Sequence, residues 1–152
     1  MVNNDVVIVR KDTLYRFYFR AVSTFKPSKS QPVIVAPLIN VSAANTFLFR
    51  FFGPSETVGF SFIIFDDGTD VAQGTYTSTV TTIKEQCQYL KDVIFNENYD
   101  VAHELYELRD IIYPVNDKIT GVITDVSFDM GSKASVFVPG ELKFQRGNIG
   151  DI

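Results

Sequence analysis

A chain of 152 residues, 45% hydrophobic and 21% charged, is long enough for one domain with a substantial core and is not disordered. The net charge of -4 and a pI near 4.9 argue against a tight phosphate binder. The longest apolar runs, at 47–52 and 58–65, are less than half of a bilayer span, which argues against a transmembrane helix.

The N-terminal Met-Val-Asn-Asn-Asp lacks the basic and apolar regions of a secretion signal, so the chain is expected to stay where it is made. Residues 6–10 read as a first strand. Residues 15–22 alternate, with Tyr15, Phe17 and Phe19 on one face and Arg16, Tyr18 and Arg20 on the other. The run Lys26-Pro27-Ser28-Lys29-Ser30-Gln31-Pro32 has no apolar anchor, and a mobile loop is expected at 24–32. After a short extended piece at 33–36, residues 46–52 and 56–65 flank Gly53-Pro54-Ser55 and read as a hairpin. Its Val58, Phe60, Phe62 and Ile64 share one face. Asp66-Asp67-Gly68 turns the chain, and residues 75–81 form a threonine-rich strand or extended arm.

The one convincing helix runs from Thr82 to about Asn96. Thr82-Ile83-Lys84-Glu85 matches a capping box, in which each side chain takes the other residue's amide. Ile83, Cys87, Leu90, Val93 and Ile94 recur on one face, while Lys84, Glu85, Gln88, Lys91 and Asp92 occupy the other. A strand follows at 103–113 and is stopped by Pro114. Residues 118–128 and 134–144 make a closing hairpin, in which Pro139-Gly140 predicts a bulge or an edge position. The tail, 147–152, is expected to be loose. The order of strands, one helix and more strands implies a mainly β fold. It is a β-barrel, or a sandwich of two packed antiparallel sheets, with one flanking α-helix at about 82–96.

Chemistry-bearing residues do not converge in this pattern. His103 is the single histidine, which leaves no imidazole-rich metal site, and it reads as a surface or interface residue. Ser61, in Gly59-Phe60-Ser61-Phe62-Ile63, lacks the second glycine of a nucleophile elbow and lies within a strand. Asp66, Asp67 and Asp70 fail the spacing of a calcium loop and read as a solvated turn. Glu104, Glu107 and Asp110 do not share a strand face. Cys87, the single cysteine, lies on the apolar helix face as an inert buried thiol. No catalytic, cofactor-binding or metal-binding residue is assigned, and the chain is not read as an enzyme.

Fourteen Phe and seven Tyr exceed what a small core holds and suggest contact surfaces between subunits. Residues 1–50 carry seven Lys/Arg against Asp5 and Asp12, whereas residues 51–152 carry seven Lys/Arg against sixteen Asp/Glu. Placed on different faces, these opposite charges favour head-to-tail stacking of identical subunits.

The segment from Lys118-Ile119-Thr120-Gly121-Val122-Ile123 to Phe128, followed by Val136-Phe137-Val138-Pro139-Gly140-Glu141-Leu142-Lys143-Phe144, resembles the closing hairpin of tail proteins from tailed viruses. With the preceding hairpin and helix, residues 45–146 are similar in element order to tail tube proteins and the related baseplate ring proteins. The resemblance implies a single tail-tube-like domain over 1–152 that forms stacked homohexameric rings around a DNA channel. It also implies a place in the virion tail after synthesis in the host cytoplasm. The implied partners are further copies, baseplate, tape-measure and terminator proteins, and DNA passing without specific binding, with no membrane contact and no cofactor. A lumen lined with acidic or neutral side chains would avoid trapping phosphates, and Lys84, Gln88, Lys91 and Asp92 should face a neighbour or the outer wall. Two alternatives stand beside the tube subunit. One is a distal-tail, baseplate or tail-terminator ring protein; the other is a monomeric β-barrel whose Phe-rich strands line a cavity for a small apolar ligand.

Overall fold

The computed structural model describes residues 5–31, 34–36, 47–49, 55–95, 101–108 and 118–147. Nine strands occur among them: β1 (Val6–Arg10), β2 (Arg16–Phe19), β3 (Val22–Ser30), β4 (Ile34–Ala36), β5 (Phe47–Phe49), β6 (Ser55–Ile64), β7 (His103–Glu107), β8 (Ile119–Phe128) and β9 (Val138–Arg146). One helix, α1 (Ile83–Gln88), continues as a π-helical segment over Tyr89–Phe95. The architecture is mainly β with a single flanking helix, as expected.

Seven strands form one antiparallel sheet in the order β2-β1-β7-β8-β9-β6-β3, and β4 pairs with β5 alone. The sheet is not closed into a barrel, yet its two edge strands follow each other in sequence, joined only by Arg20 and Ala21. Three residue steps span at most ~11 Å, so the sheet must roll until its edges approach at this corner. The corner is pinned from both sides. Asp5 N–H donates to the Phe19 carbonyl at 2.8 Å, Val22 N–H to Asp5 Oδ2 at 3.0 Å, and Ile63 N–H to the Ala21 carbonyl at 3.1 Å. Arg20, expected on a wetter face, has a side chain only 3% exposed. Its guanidinium pairs with Asp67, donates to the Phe65 carbonyl at 2.8 Å, and lies 4.2 Å from the centroid of the Phe65 ring.

Period-two alternation sends Phe17, Phe19, Val58, Phe60, Phe62, Ile64, Leu142 and Phe144 into the roll, each at most 3% exposed. The rings fill it. Phe19 lies 5.0 Å from Phe60 and 4.8 Å from Phe62, centroid to centroid, and Phe17 lies 4.6 Å from Phe19. Among the described residues, the rings of Phe17, Phe19, Phe60 and Phe62 thus pack on one another. The free side of β2 is covered: Tyr18 N–H donates to the Val71 carbonyl at 3.0 Å, and the Tyr89 hydroxyl donates to the Arg16 carbonyl at 2.7 Å.

Several expectations are corrected. Residues 24–32 are not a loop through most of their length, because β3 pairs with β6 from Val22↔Phe62 to Ser30↔Ser55. An edge strand has one unpaired side, where proline and lysine are tolerated, and Pro27, Lys26 and Lys29 suit that position. The hairpin expected between 46–52 and 56–65 does not form. β5 pairs with β4, and β6 pairs with β3 and β9. Residues 75–81 make no ladder. Pro139 sits in an interior strand, and the irregularity of that ladder falls in β8, between Ile123 and Asp125. The proline is tolerated because Asp129 N–H donates to its carbonyl at 2.8 Å, so the side lacking an N–H faces residue 129, just past the end of β8. The tail at 148–152, Pro114 and residues 109–113 lie outside the described residues.

A Cβ at Gly121 would lie 1.9 Å from the Gln145 carbonyl oxygen and 2.9 Å from the Arg146 Cα on β9. Both contacts are backbone, so relief requires opening the ladder. Gly59, by contrast, has nothing within 4 Å of such an atom. Gly121→Ala is expected to lower unfolding stability by ~1–3 kcal/mol or more and Gly59→Ala to change it little, as read from urea midpoints of the two variants.

Candidate functional site

The capping box forms as expected: Glu85 N–H donates to Thr82 Oγ1 at 3.1 Å and Thr82 N–H to Glu85 Oε1 at 3.2 Å. The Thr82 contacts hold the Glu85 carboxyl below its ordinary range. Cys87, Leu90 and Ile94 are buried as the spacing predicts, with Lys84, Gln88, Lys91 and Asp92 exposed. Burial pushes the Cys87 thiol up, which disfavours its reactive thiolate.

Two further helix residues turn inward. Gln86 is 1% exposed and donates through Nε2 to the carbonyls of Phe65 and Thr81, both at 2.7 Å. Its position, three after Ile83 and four before Leu90, places it in the apolar stripe, and that spacing was the available signal. Tyr89 is 3% exposed, and burial pushes its hydroxyl well above the ordinary range.

His103 is 2% exposed and not a surface residue. On β7, alternation sends His103, Leu105 and Glu107 inward and leaves Glu104 and Tyr106 partly exposed. The helix ends against this strand: His103 Nε2 donates to the Ile94 carbonyl at 2.6 Å, while Arg10, its cross-strand partner on β1, donates to the Val93 carbonyl at 2.6 Å. Burial lowers the His103 pKa, outweighing the Ile94 hydrogen bond that favours the charged form. Nδ1 is buried without a hydrogen-bond partner. A histidine held in this way is a helix anchor, and its unpartnered Nδ1 lone pair is enclosed away from the surface.

Glu104 and Glu107 point to opposite faces, as expected, and Asp110 lies outside the described residues. Burial raises the Glu104 carboxyl, but the Tyr106 hydroxyl at 2.7 Å and Lys118 Nζ at 3.0 Å bring it below its ordinary range. Burial first, and then Glu104, push Tyr106 up to about 12. The Asp66–Asp70 segment is a set of backbone acceptors. Asp66 and Asp67 close short turns onto Gly68 and Thr69, and Asp70 takes Ala72 N–H, Val80 N–H and Gly74 N–H at 3.0–3.1 Å. Among the described residues no group of three His, Cys, Asp or Glu is placed to hold a metal ion, and no helix is long and apolar enough to cross a membrane.

Two surfaces stand out instead. On the outer side of β3-β6-β9-β8, cross-strand register builds rows of short side chains. Thr24, Ser61, Glu141 and Ser127 form one row; Lys26, Gly59, Lys143 and Asp125 form the next; and Ser28 and Thr57 begin a third. In these rows two lysines are balanced by two carboxylates among hydroxyls and glycine, and the same face continues through Ile63 and Pro139 at one end and Gln145 at the other. The second surface is a groove between the helix and the turn before β9, lined by Ile83, Cys87, Met130 and Ala134 and bordered by Asp66 and Lys84. Met130 and Val136 on this turn are 61% and 66% exposed. Periodicity missed them because the turn has none.

No protein-family model matches the chain, and no curated protein matches it. Solved structures do. The chain is similar to one from the tail of an empty GTA particle with C6 symmetry, at 9% identity and a TM-score of 0.55, over 96% of this chain and 92% of that one. It also aligns with chains from the sheath/tube terminator of the PVC extracellular contractile injection system and from the baseplate of the anti-feeding prophage. Both are 9% identical, with TM-scores of 0.44 and 0.46, and the alignments cover 95% and 97% of this chain and 90% and 92% of those. The mainly β fold with one helix is thus shared with that chain from the GTA-particle tail along nearly its whole length.

The buried neutral histidine sets a pH dependence. Its folded pKa lies below the unfolded value of 6.5, so as pH falls below 6.5 the unfolded chain takes up a proton that the native state refuses. Stability then falls with a limiting slope of ~1.4 kcal/mol per pH unit. The lowered Asp12, Asp67 and Glu104 carboxyls add losses only at more acidic pH. Urea titrations between pH 5 and 6.5 should show this slope in the wild type and lose most of it in His103→Gln, the chain's single histidine.

Proposed function

We propose that this protein is a structural subunit of a phage-type tail, which assembles with copies of itself into stacked hexameric rings around a DNA channel. The observation that supports this reading best is the outer face of β3-β6-β9-β8. A channel wall must be smooth and must not hold the phosphate backbone, since each basic side chain that meets a phosphate releases counterions and gains affinity. Rows of Ser, Thr and Gly with Lys26 and Lys143 balanced by Asp125 and Glu141 meet that requirement. The fold shared with a chain from a C6 tail agrees with the ring. On this reading the other partners are the tail's baseplate, tape-measure and terminator proteins, the location is the tail of the particle, and the chain carries no catalysis.

Light scattering and negative-stain microscopy of the concentrated protein test the proposal. The expected result is a species near six times the 17.1 kDa chain mass and tubes or stacked rings of uniform width. A strictly monomeric protein with no assembly, even with other tail components, would refute it. Assembly that stops at one ring would assign the chain to a distal-tail or terminator position. The channel face has its own test. Tubes carrying Ser61→Lys and Thr57→Lys should retain DNA in a salt-dependent manner, with a log-log slope steeper by ~1 per lysine that meets a phosphate. Wild-type tubes should retain little, and equal retention by both would remove this face from the channel.

A further inference from the structure

Between the segment 76–80 and the helix lies a cleft of about 210 Å³, distinct from the two surfaces described above. Its floor includes Val80 and Tyr89, both buried. The segment supplies one wall, with the half-buried Tyr76 and the exposed Ser78 and Thr79; the helix supplies the other, with Glu85, Gln88 and Asp92, all exposed. Gln88 and Asp92, four residues apart, are near neighbours on the helix surface, and Glu85 stands about a turn before them. Asp92 belongs to the π-helical run Tyr89–Phe95, a rare winding that is frequent at functional sites.

The walls are held before anything binds. Asp70 Oδ1 takes the Val80 N–H at 3.0 Å and Val71 N–H donates to the Val80 carbonyl at 3.0 Å, which closes the segment onto its own start. Tyr76 lies between Tyr15 and Tyr89, at 5.1 and 4.9 Å between centroids. Opposite, the capping box fixes Glu85. Asp92 makes no hydrogen bond or ion pair, and no basic side chain among the described residues lines the cleft, since Lys84 borders the groove toward Met130.

An aromatic ring facing an unpaired carboxylate and an amide oxygen suits a cation. A lysine ammonium is a strongly hydrated point charge, whereas a guanidinium is planar, weakly hydrated, packs on rings and gives two parallel N–H bonds to one carboxylate. The space is smaller than the roughly 300–1,000 Å³ of sites that hold whole small molecules, and it suits a single long side chain. The described arginines of this chain are already engaged: Arg10 by Asp12 and the Val93 carbonyl, Arg16 by Tyr18, Arg20 by Asp67 and Arg146 by Glu56. We propose that this cleft receives an arginine side chain of a second, different protein, with the Asp92 carboxylate and the Gln88 amide oxygen as acceptors and Tyr76 as the ring beside them. Glu85 adds negative potential from the far end of the same wall. The inference goes beyond the structural-subunit reading and holds whether or not the chain forms rings.

Saturation-transfer NMR observes a small probe and so reads single chains and assemblies alike. N-acetyl-arginine amide, N-acetyl-lysine amide and N-acetyl-citrulline amide, the last close to arginine in shape but uncharged, are titrated against the wild type and Asp92→Asn. The expected order of affinity is arginine, lysine, citrulline, and Asp92→Asn should weaken the arginine probe about fivefold or more. Its circular dichroism spectrum should be unchanged, because Asp92 is exposed and without a partner. Equal affinity of wild type and Asp92→Asn for the arginine probe, or equal affinity of the wild type for the arginine and lysine probes, would overturn the site. Light scattering tests the source of the arginine. Self-association unaltered by Asp92→Asn supports a different protein, whereas self-association weakened by it would assign the arginine to a second copy and overturn that part of the proposal.

Discussion

The passage from β2 to β3 through Arg20 and Ala21 is the constraint from which the rest of the molecule follows. Two residues carry the chain from one edge of a seven-stranded sheet to the other, so the sheet can only be rolled. Rolling turns one face of every strand into a closed interior, and that interior receives the phenylalanines. Arg20 stabilises the corner in three ways at once, through the Asp67 carboxylate, the Phe65 carbonyl and the Phe65 ring. Its charge is acceptable at 3% exposure because every one of those contacts favours the cation.

The helix lies against this roll and is fastened at both ends. At its start the capping box satisfies local donors, and Gln86 ties it to the Phe65 carbonyl beside the same corner. At its end Arg10 and His103, adjacent across β1 and β7, take the Val93 and Ile94 carbonyls. A helix end leaves terminal carbonyls without intrahelical partners, and here those of Val93 and Ile94 find side-chain donors. The single histidine is thereby used for architecture, in its neutral form.

With the interior filled and the helix fastened, the outside carries the functional reading. The outer face of β3-β6-β9-β8 sets two lysines against two carboxylates, and the groove beside the helix is apolar, bordered by Asp66 and Lys84.

Local signals in the sequence were sufficient for what depends on near neighbours. The capping box at Thr82, the strand at Val6–Arg10, the inward set from Val58 to Ile64 and the solvated Asp66–Gly68 turn are all set by residues within a few positions of one another, and all stand in the structure. Pairing was decided elsewhere. That β6 takes β3 and β9, and not β5, depends on which edge is free once the sheet rolls, and that information is spread over more than a hundred residues. The same holds for a proline-bearing segment becoming an edge strand and for a lone histidine becoming a buried anchor. The sequence by itself determined a mainly β chain with one capped helix and no convergent catalytic pattern. Only the tertiary structure decided which strands pair and that Arg20 and His103 lie inside, because those follow from the closure of distant edges and not from local propensity.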